Sequence, residues 1–111
     1  MDDNSFEEQG GHLKITLAAD LTAVIVPDLQ EKLRAFLQRK VKTVEFDLRH
    51  TVMLDSSGIG LMIATFNSLG RGPACLSVTN ASDDILHLIQ NMRLTKRLNV
   101  TGRATAEVSR G

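Results

Sequence analysis

Between Lys42 and Leu69 the apolar residues change from every second position to every third or fourth. From Lys42 to Arg49, Val44, Phe46 and Leu48 alternate with Glu45, Asp47 and Arg49. Successive side chains of a strand point to opposite faces, so this pattern buries one face and wets the other. From Ser57 to Leu69, Ile59, Met62, Ile63, Phe66 and Leu69 recur at helical spacing. A half-buried strand that hands over to an apolar-striped helix belongs to an alternating α/β chain with a partly parallel sheet.

The remaining segments fit that frame. Leu13, Ile15 and Leu17 alternate with polar neighbours from His12, which predicts a first strand. Leu29, Leu33, Phe36 and Leu37 predict an amphipathic helix running to about Arg39, with Pro27 in its first turn. Val52-Met53-Leu54 reads as a short apolar strand piece, and Ala74 to Val78 as a further strand after a turn at Arg71-Gly72-Pro73. Ser82 is placed to cap a helix whose first turn carries Asp83 and Asp84 and whose buried stripe is Ile85, Leu88, Ile89 and Met92. Arg97 to Val100 predicts a last short strand, and Thr101 to Gly111 is polar with little pattern. The expectation is one α/β domain: a mixed, partly parallel sheet of four to five strands packed with three to four helices. Residues 1–11, acidic and closed by Gly10-Gly11, are expected to be a flexible N-terminal tail, and residues 12–111 the folded domain.

Charge and composition exclude several classes of function. Thirteen basic residues balance thirteen acidic ones, so no long-range field attracts nucleic acid. Basic residues gather near the C-terminus (Arg93, Lys96, Arg97, Arg103 and Arg110) without interleaved aromatics to stack on bases, and they read as a solvated face. Met1 to Gln9 lacks the apolar stretch of a signal peptide, and no run reaches the ~20 apolar residues that span a bilayer. A cytoplasmic protein without direct membrane insertion is expected. Cys75, the only cysteine, lies in an apolar stretch and reads as an inert buried thiol. His12, His50 and His87 are dispersed, so no metal-ligand set is expected, and Gly70-Arg71-Gly72 lacks the Lys and Ser/Thr of a phosphate loop. No cofactor is expected.

One segment stands out: Met53-Leu54-Asp55-Ser56-Ser57-Gly58-Ile59-Gly60, where an apolar piece runs into a polar turn that opens a helix. Asp55 or Ser56 can cap that helix, and Gly70 can end it in the left-handed conformation. The helix N-terminus offers backbone N–H groups and partial positive charge to an anion. Gly58 and Gly60 expose backbone that a partner could approach closely. A catalytic serine would need a base and an orienting group, and the residues around Ser56 are not a Gly-x-Ser-x-Gly elbow.

The string Met53 to Leu61 resembles the signature of STAS domains, the bacterial anti-sigma-factor antagonists: Asp-Ser-Ser/Thr-Gly-Leu/Ile-Gly after an apolar strand. Asp20-Leu21-Thr22 is similar to the family's turn after its first long strand, though Ala19 replaces the usual glycine and Thr22 stands where many members have Asp. Val44 to Leu48 lies just upstream as in the family, and Ser82, Ile85, Leu88 and Met92 match the opening of its third helix. The likeness spans about residues 12 to 100. It implies a STAS-like fold, no enzymatic activity of its own, and Ser56 as phosphoacceptor. It further implies an anti-sigma factor that is also a serine kinase and binds ATP itself, with a serine phosphatase as opposing partner. Asp20, Thr22, Asp55, Ser56, Ser57, Gly58, Ile59 and Gly60 would form the partner-binding surface. Unphosphorylated protein would bind the anti-sigma factor, and phosphoprotein would release it. Two other readings stay open: an accessory subunit of a membrane transport system, and a hydrolase with Ser56 as nucleophile. Thr22 could equally serve to cap the first helix.

Overall fold

The computed structural model describes residues 4–70, 72–95 and 98–102. Five strands form one sheet in chain order: β1 (Ser5–Gln9), β2 (His12–Thr16), β3 (Thr43–Asp47), β4 (Leu76–Ala81) and β5 (Asn99–Gly102). The β1–β2 pair is antiparallel, and every later pair is parallel. Three helices join them: α1 (Val26–Leu37), α2 (Ser56–Leu69) and α3 (Asp83–Asn91). The expected mixed sheet in a single α/β domain is observed, with five strands and three helices among the described residues.

Period-two alternation decides which face is covered. In register, Leu13 lies beside Val44 and Val44 beside Leu76, while Ile15, Phe46 and Val78 form the next row. All six are buried, and the helices add Leu29, Leu33, Ile59, Met62, Ile85 and Ile89 to the same cluster. The opposite face of the sheet is polar and carries a ladder of side-chain bonds. His12 Nδ1 lies 2.7 Å from Thr43 Oγ1, and Thr79 Oγ1 donates to Glu45 Oε2 at 2.8 Å. Asp47 on this face is nonetheless fully buried, because Arg49 Nη2 (2.7 Å), Asn80 Nδ2 (2.9 Å) and Lys14 Nζ (3.5 Å) close over its carboxylate. Burial by itself raises its pKa, but the hydrogen bonds from Arg49 and Asn80 outweigh that and bring it down to about 2.

Several expectations need correction. Residues 5–9 are not a frayed tail: they pair with β2 as an edge strand, Ser5 opposite Thr16 and Gln9 opposite His12. Gly10 (φ 60°) and Gly11 (φ 88°) form a two-residue hairpin turn that requires positive φ at both positions. Phe6 then stacks on Phe36 of α1, with ring centroids 5.4 Å apart. Val52 and Met53 do not form a strand. They are exposed, and only Leu54 pairs, in a lone parallel bridge to Leu21. Ala74 and Cys75 belong to a 3-10 turn ahead of β4, although Cys75 is buried as expected. Met92 follows α3 and is 45% exposed, so the buried stripe there is Ile85 and Ile89 with Leu88 half-buried. β5 starts at Asn99, two residues later than expected; Lys96, Arg97 and everything after Gly102 lie outside the described residues.

Candidate functional site

Two loops leave the carboxyl ends of β2 and β3 and meet at the start of α2. The ladder continues past the strands: Leu17 N donates to Asp47 O at 3.2 Å, and farther on Leu21 N donates to Met53 O at 3.1 Å and Asp55 N to Leu21 O at 3.3 Å. The side chains complete a reciprocal tie. Asp20 in the first loop accepts through Oδ1 from Val52 N (2.8 Å) and Met53 N (3.0 Å) in the second. Asp55 in the second loop accepts through Oδ2 from Ala23 N in the first at 3.0 Å. Thr51, fully buried, donates its hydroxyl to Ala19 O at 2.8 Å. Each loop thus satisfies backbone groups of the other, which otherwise would need water or secondary structure.

Asp55 is also the cap of α2. Its extended backbone and short carboxylate suit the position, and Oδ1 accepts from Gly58 N at 3.1 Å. The N–H of Ala23 first, and then that of Gly58, hold this carboxyl below the usual carboxylate range. Ser56 comes next, as the first residue of the helix, and it is exposed. Among the described residues its hydroxyl is engaged by no side-chain hydrogen bond, because the capping role falls to Asp55. Gly70, at φ 60°, ends the helix left-handed as expected.

The residues expected at the partner surface divide into two groups. Ser56 and Gly60 are exposed, and Asp20, Thr22, Asp55 and Ser57 are half-buried around them. Gly58 and Ile59 are buried, which corrects their expected role in contacting a partner. A Cβ on Gly58 would sit 2.6 Å from Leu21 O and 2.8 Å from Leu54 Cδ1. The close approach that Gly58 permits is therefore internal: it lets α2 dock on the first loop. Gly60 has nothing within 4 Å of such a Cβ and leaves the helix surface open. Thr22 does not cap α1 with its side chain. The cap position is Ile25, without a side-chain bond, and it is the Thr22 carbonyl that accepts from Ile25 N and Val26 N at 3.0 Å each. Beside these lie three exposed apolar side chains, Val24, Val52 and Met53, at 87, 69 and 56%; the sequence reading left out Val24 and placed Val52 and Met53 in a strand piece instead of at a surface. Their signal was available, since apolar residues between a strand and a turn without periodicity have no core to enter.

His12 is occupied with Thr43 and Glu45 on the sheet's polar face, His50 lines a shallow surface hollow with Ser5 and Thr16, and His87 is exposed on α3. Among the described residues no three His, Cys, Asp or Glu side chains group as a metal site would require, and no helix is long and apolar enough to cross a membrane.

The site thus consists of two cross-tied loops and an Asp-capped helix that opens on an exposed serine. The STAS domain profile matches residues 5–107. The chain belongs to the STAS domain family. The anti-sigma-B factor antagonist of Listeria monocytogenes is 25% identical to this STAS domain over 84 residues, 76% of this chain and 74% of that one. An anti-sigma factor antagonist from Mycobacterium paratuberculosis has the same fold, with a TM-score of 0.79 at 17% identity over 98% of this chain and 92% of that one. So does the anti-sigma factor antagonist SpoIIAA. Its unphosphorylated form gives a TM-score of 0.71 at 19% identity over 95% of this chain and 93% of that one. Its phosphorylated form gives 0.70 at 19% identity over 96% and 97%.

Proposed function

We propose that this STAS domain is an anti-sigma-factor antagonist in a partner-switching pathway, with Ser56 as the switch. In the unphosphorylated state it binds an anti-sigma factor that is also a serine kinase. The observation that carries this reading is the exposed Ser56 hydroxyl, left unengaged because Asp55 caps α2 in its place. A helix-capping serine would have its oxygen committed to the amides below it, and this one does not. The SpoIIAA fold, known in phosphorylated and unphosphorylated forms, supports the same reading.

In the proposed step Ser56 Oγ attacks the γ-phosphorus of ATP held by the partner. The bond to the bridging oxygen breaks, ADP leaves, and the hydroxyl proton passes to a base on the partner. The product carries about −1.5 to −2 charges where a neutral hydroxyl stood. A partner surface fitted to that hydroxyl would have to bury an unpaired dianion. The cost is several kcal/mol, and about 4 kcal/mol already corresponds to a thousandfold loss of affinity. Phosphorylation thereby separates the two proteins, and a serine phosphatase restores the binding form.

The test is mass spectrometry of the chain recovered from cells of its own organism. One phosphate on Ser56, absent from Ser56→Ala, is expected. A chain that carries phosphate only elsewhere, or a Ser56→Asp variant that binds the cognate anti-sigma factor as tightly as wild type, overturns the proposal.

A further inference from the structure

We propose that Asp55 senses the charge carried by Ser56 and passes it to the turn that holds Val24. This rests on Ser56 being the residue whose charge changes. The carboxylate of Asp55 has two attachments on different segments: Oδ1 on Gly58 N in the first turn of α2, and Oδ2 on Ala23 N in the neighbouring loop. It therefore joins the helix end to a turn that is distant in sequence. The other side-chain ties between the loops, Asp20 on Val52 N and Met53 N and Thr51 on Ala19 O, precede the Leu21–Leu54 bridge in both segments and do not involve α2.

A phosphoryl group on Ser56 adds a second anion at the residue next to Asp55. Both groups are drawn to the same partial positive charge and the same first-turn N–H donors, and like charges this close oppose each other. A carboxylate displaced from this place loses its hold on Ala23 N. The turn beyond it then keeps the Thr22 carbonyl, which accepts from Ile25 N and Val26 N, and the packing of Ile25 and Val26 on the core, but has lost its tie to α2. Val24 sits on that turn and is the most exposed large apolar side chain among the described residues. The charge on Ser56 thus changes how firmly an apolar contact beside it is presented, in addition to acting directly on a partner.

The coupling can be tested without any kinase. Ser56→Asp and Ser56→Asn differ by one charge in nearly equal volumes, and amide hydrogen exchange at Ala23 reports the bond to Asp55. Exchange at Ala23 is expected to be three- to tenfold faster in Ser56→Asp than in Ser56→Asn. A nearby negative charge slows base-catalysed exchange, so an increase reflects the lost hydrogen bond. The amide of Ile85, held by Ser82 Oγ at 3.2 Å on α3, serves as the reference and should exchange equally in both. In an Asp55→Asn background Ser56→Asp should no longer exchange faster than Ser56→Asn at Ala23. Equal or slower Ala23 exchange in Ser56→Asp in the first comparison, or faster exchange that persists without the Asp55 carboxylate, would overturn the coupling. Failure to find phosphate on Ser56 in cells would instead remove the proposed switch and leave the measured coupling standing.

Discussion

Gly58 and Gly60 sit two residues apart in α2, yet alanine at the two positions should act in opposite directions. At Gly58 the added Cβ would lie 2.6 Å from Leu21 O and 2.8 Å from both Leu21 Cγ and Leu54 Cδ1, against an ordinary contact of 3.4 Å or more. The shortfall to the carbonyl is therefore about 0.8 Å (3.4 − 2.6). That oxygen is backbone and already accepts from Asp55 N, so it cannot swing aside as a flexible side chain would. Overpacking of this kind costs roughly 1–3 kcal/mol, and a strained hydrogen bond about 1 kcal/mol more. The better helix propensity of alanine returns at most ~1 kcal/mol. The net effect is a loss of about 2 kcal/mol, or a Tm lower by roughly 8–12 °C in a domain of this size. At Gly60 the Cβ meets nothing within 4 Å, so Gly60→Ala should gain about 0.5–1 kcal/mol. Urea unfolding followed by far-UV circular dichroism, with thermal melts in parallel, measures both. If the two substitutions move the midpoint in the same direction, the packing account of the Leu21–α2 contact is wrong.

Acid should weaken the fold through Asp47. Its folded pKa of about 2 lies below the ordinary 3.8, so its contribution is complete above pH 5 and is lost as the pH falls toward 2. About 2 kcal/mol is at stake, and Asp47→Asn should flatten that part of the stability profile measured by urea titration at several pH values. Ser82→Ala should cost about 1 kcal/mol, because Ser82 Oγ accepts from Ile85 N at the start of α3; an unchanged unfolding midpoint would deny the cap. Asp20→Ala should speed amide exchange at Val52 and Met53 with little change at Ile85, since Asp20 bonds only the neighbouring loop; uniform acceleration would mean that the whole domain had loosened.

Those elements whose apolar residues repeat with a single period were legible in the chain itself. Val44 and Phe46 announce β3, and Ile59, Met62 and Phe66 announce α2, because burial on one face leaves a periodic trace. Caps were legible too, since Asp55, Ser82 and Gly70 act within a few residues of themselves. What escaped depends on partners remote in sequence. β1 is an edge strand with one half-buried side chain, Phe6, and so shows no alternation; without that trace, the Gly10-Gly11 pair of the hairpin turn looks in sequence like the end of a tail. Val52-Met53-Leu54 has strand composition, but only Leu54 finds a neighbour, at Leu21. The buried role of Gly58 is invisible without knowing that the Leu21 carbonyl lies against it. Within the candidate site, Ser56 and Asp55 could be read from the order of residues, whereas the tie from Asp55 to Ala23 spans 32 positions and could not.

The outermost strand has a consequence of another sort. Among the described residues β1 closes one margin of the sheet, and its outward backbone groups face no further strand. Two exposed glutamates, Glu7 and Glu8, sit on it. Mutual repulsion between such margins discourages molecules from adding to one another strand by strand. Neutralising both glutamates would leave each domain intact while making concentrated solutions prone to fibrous or amorphous association.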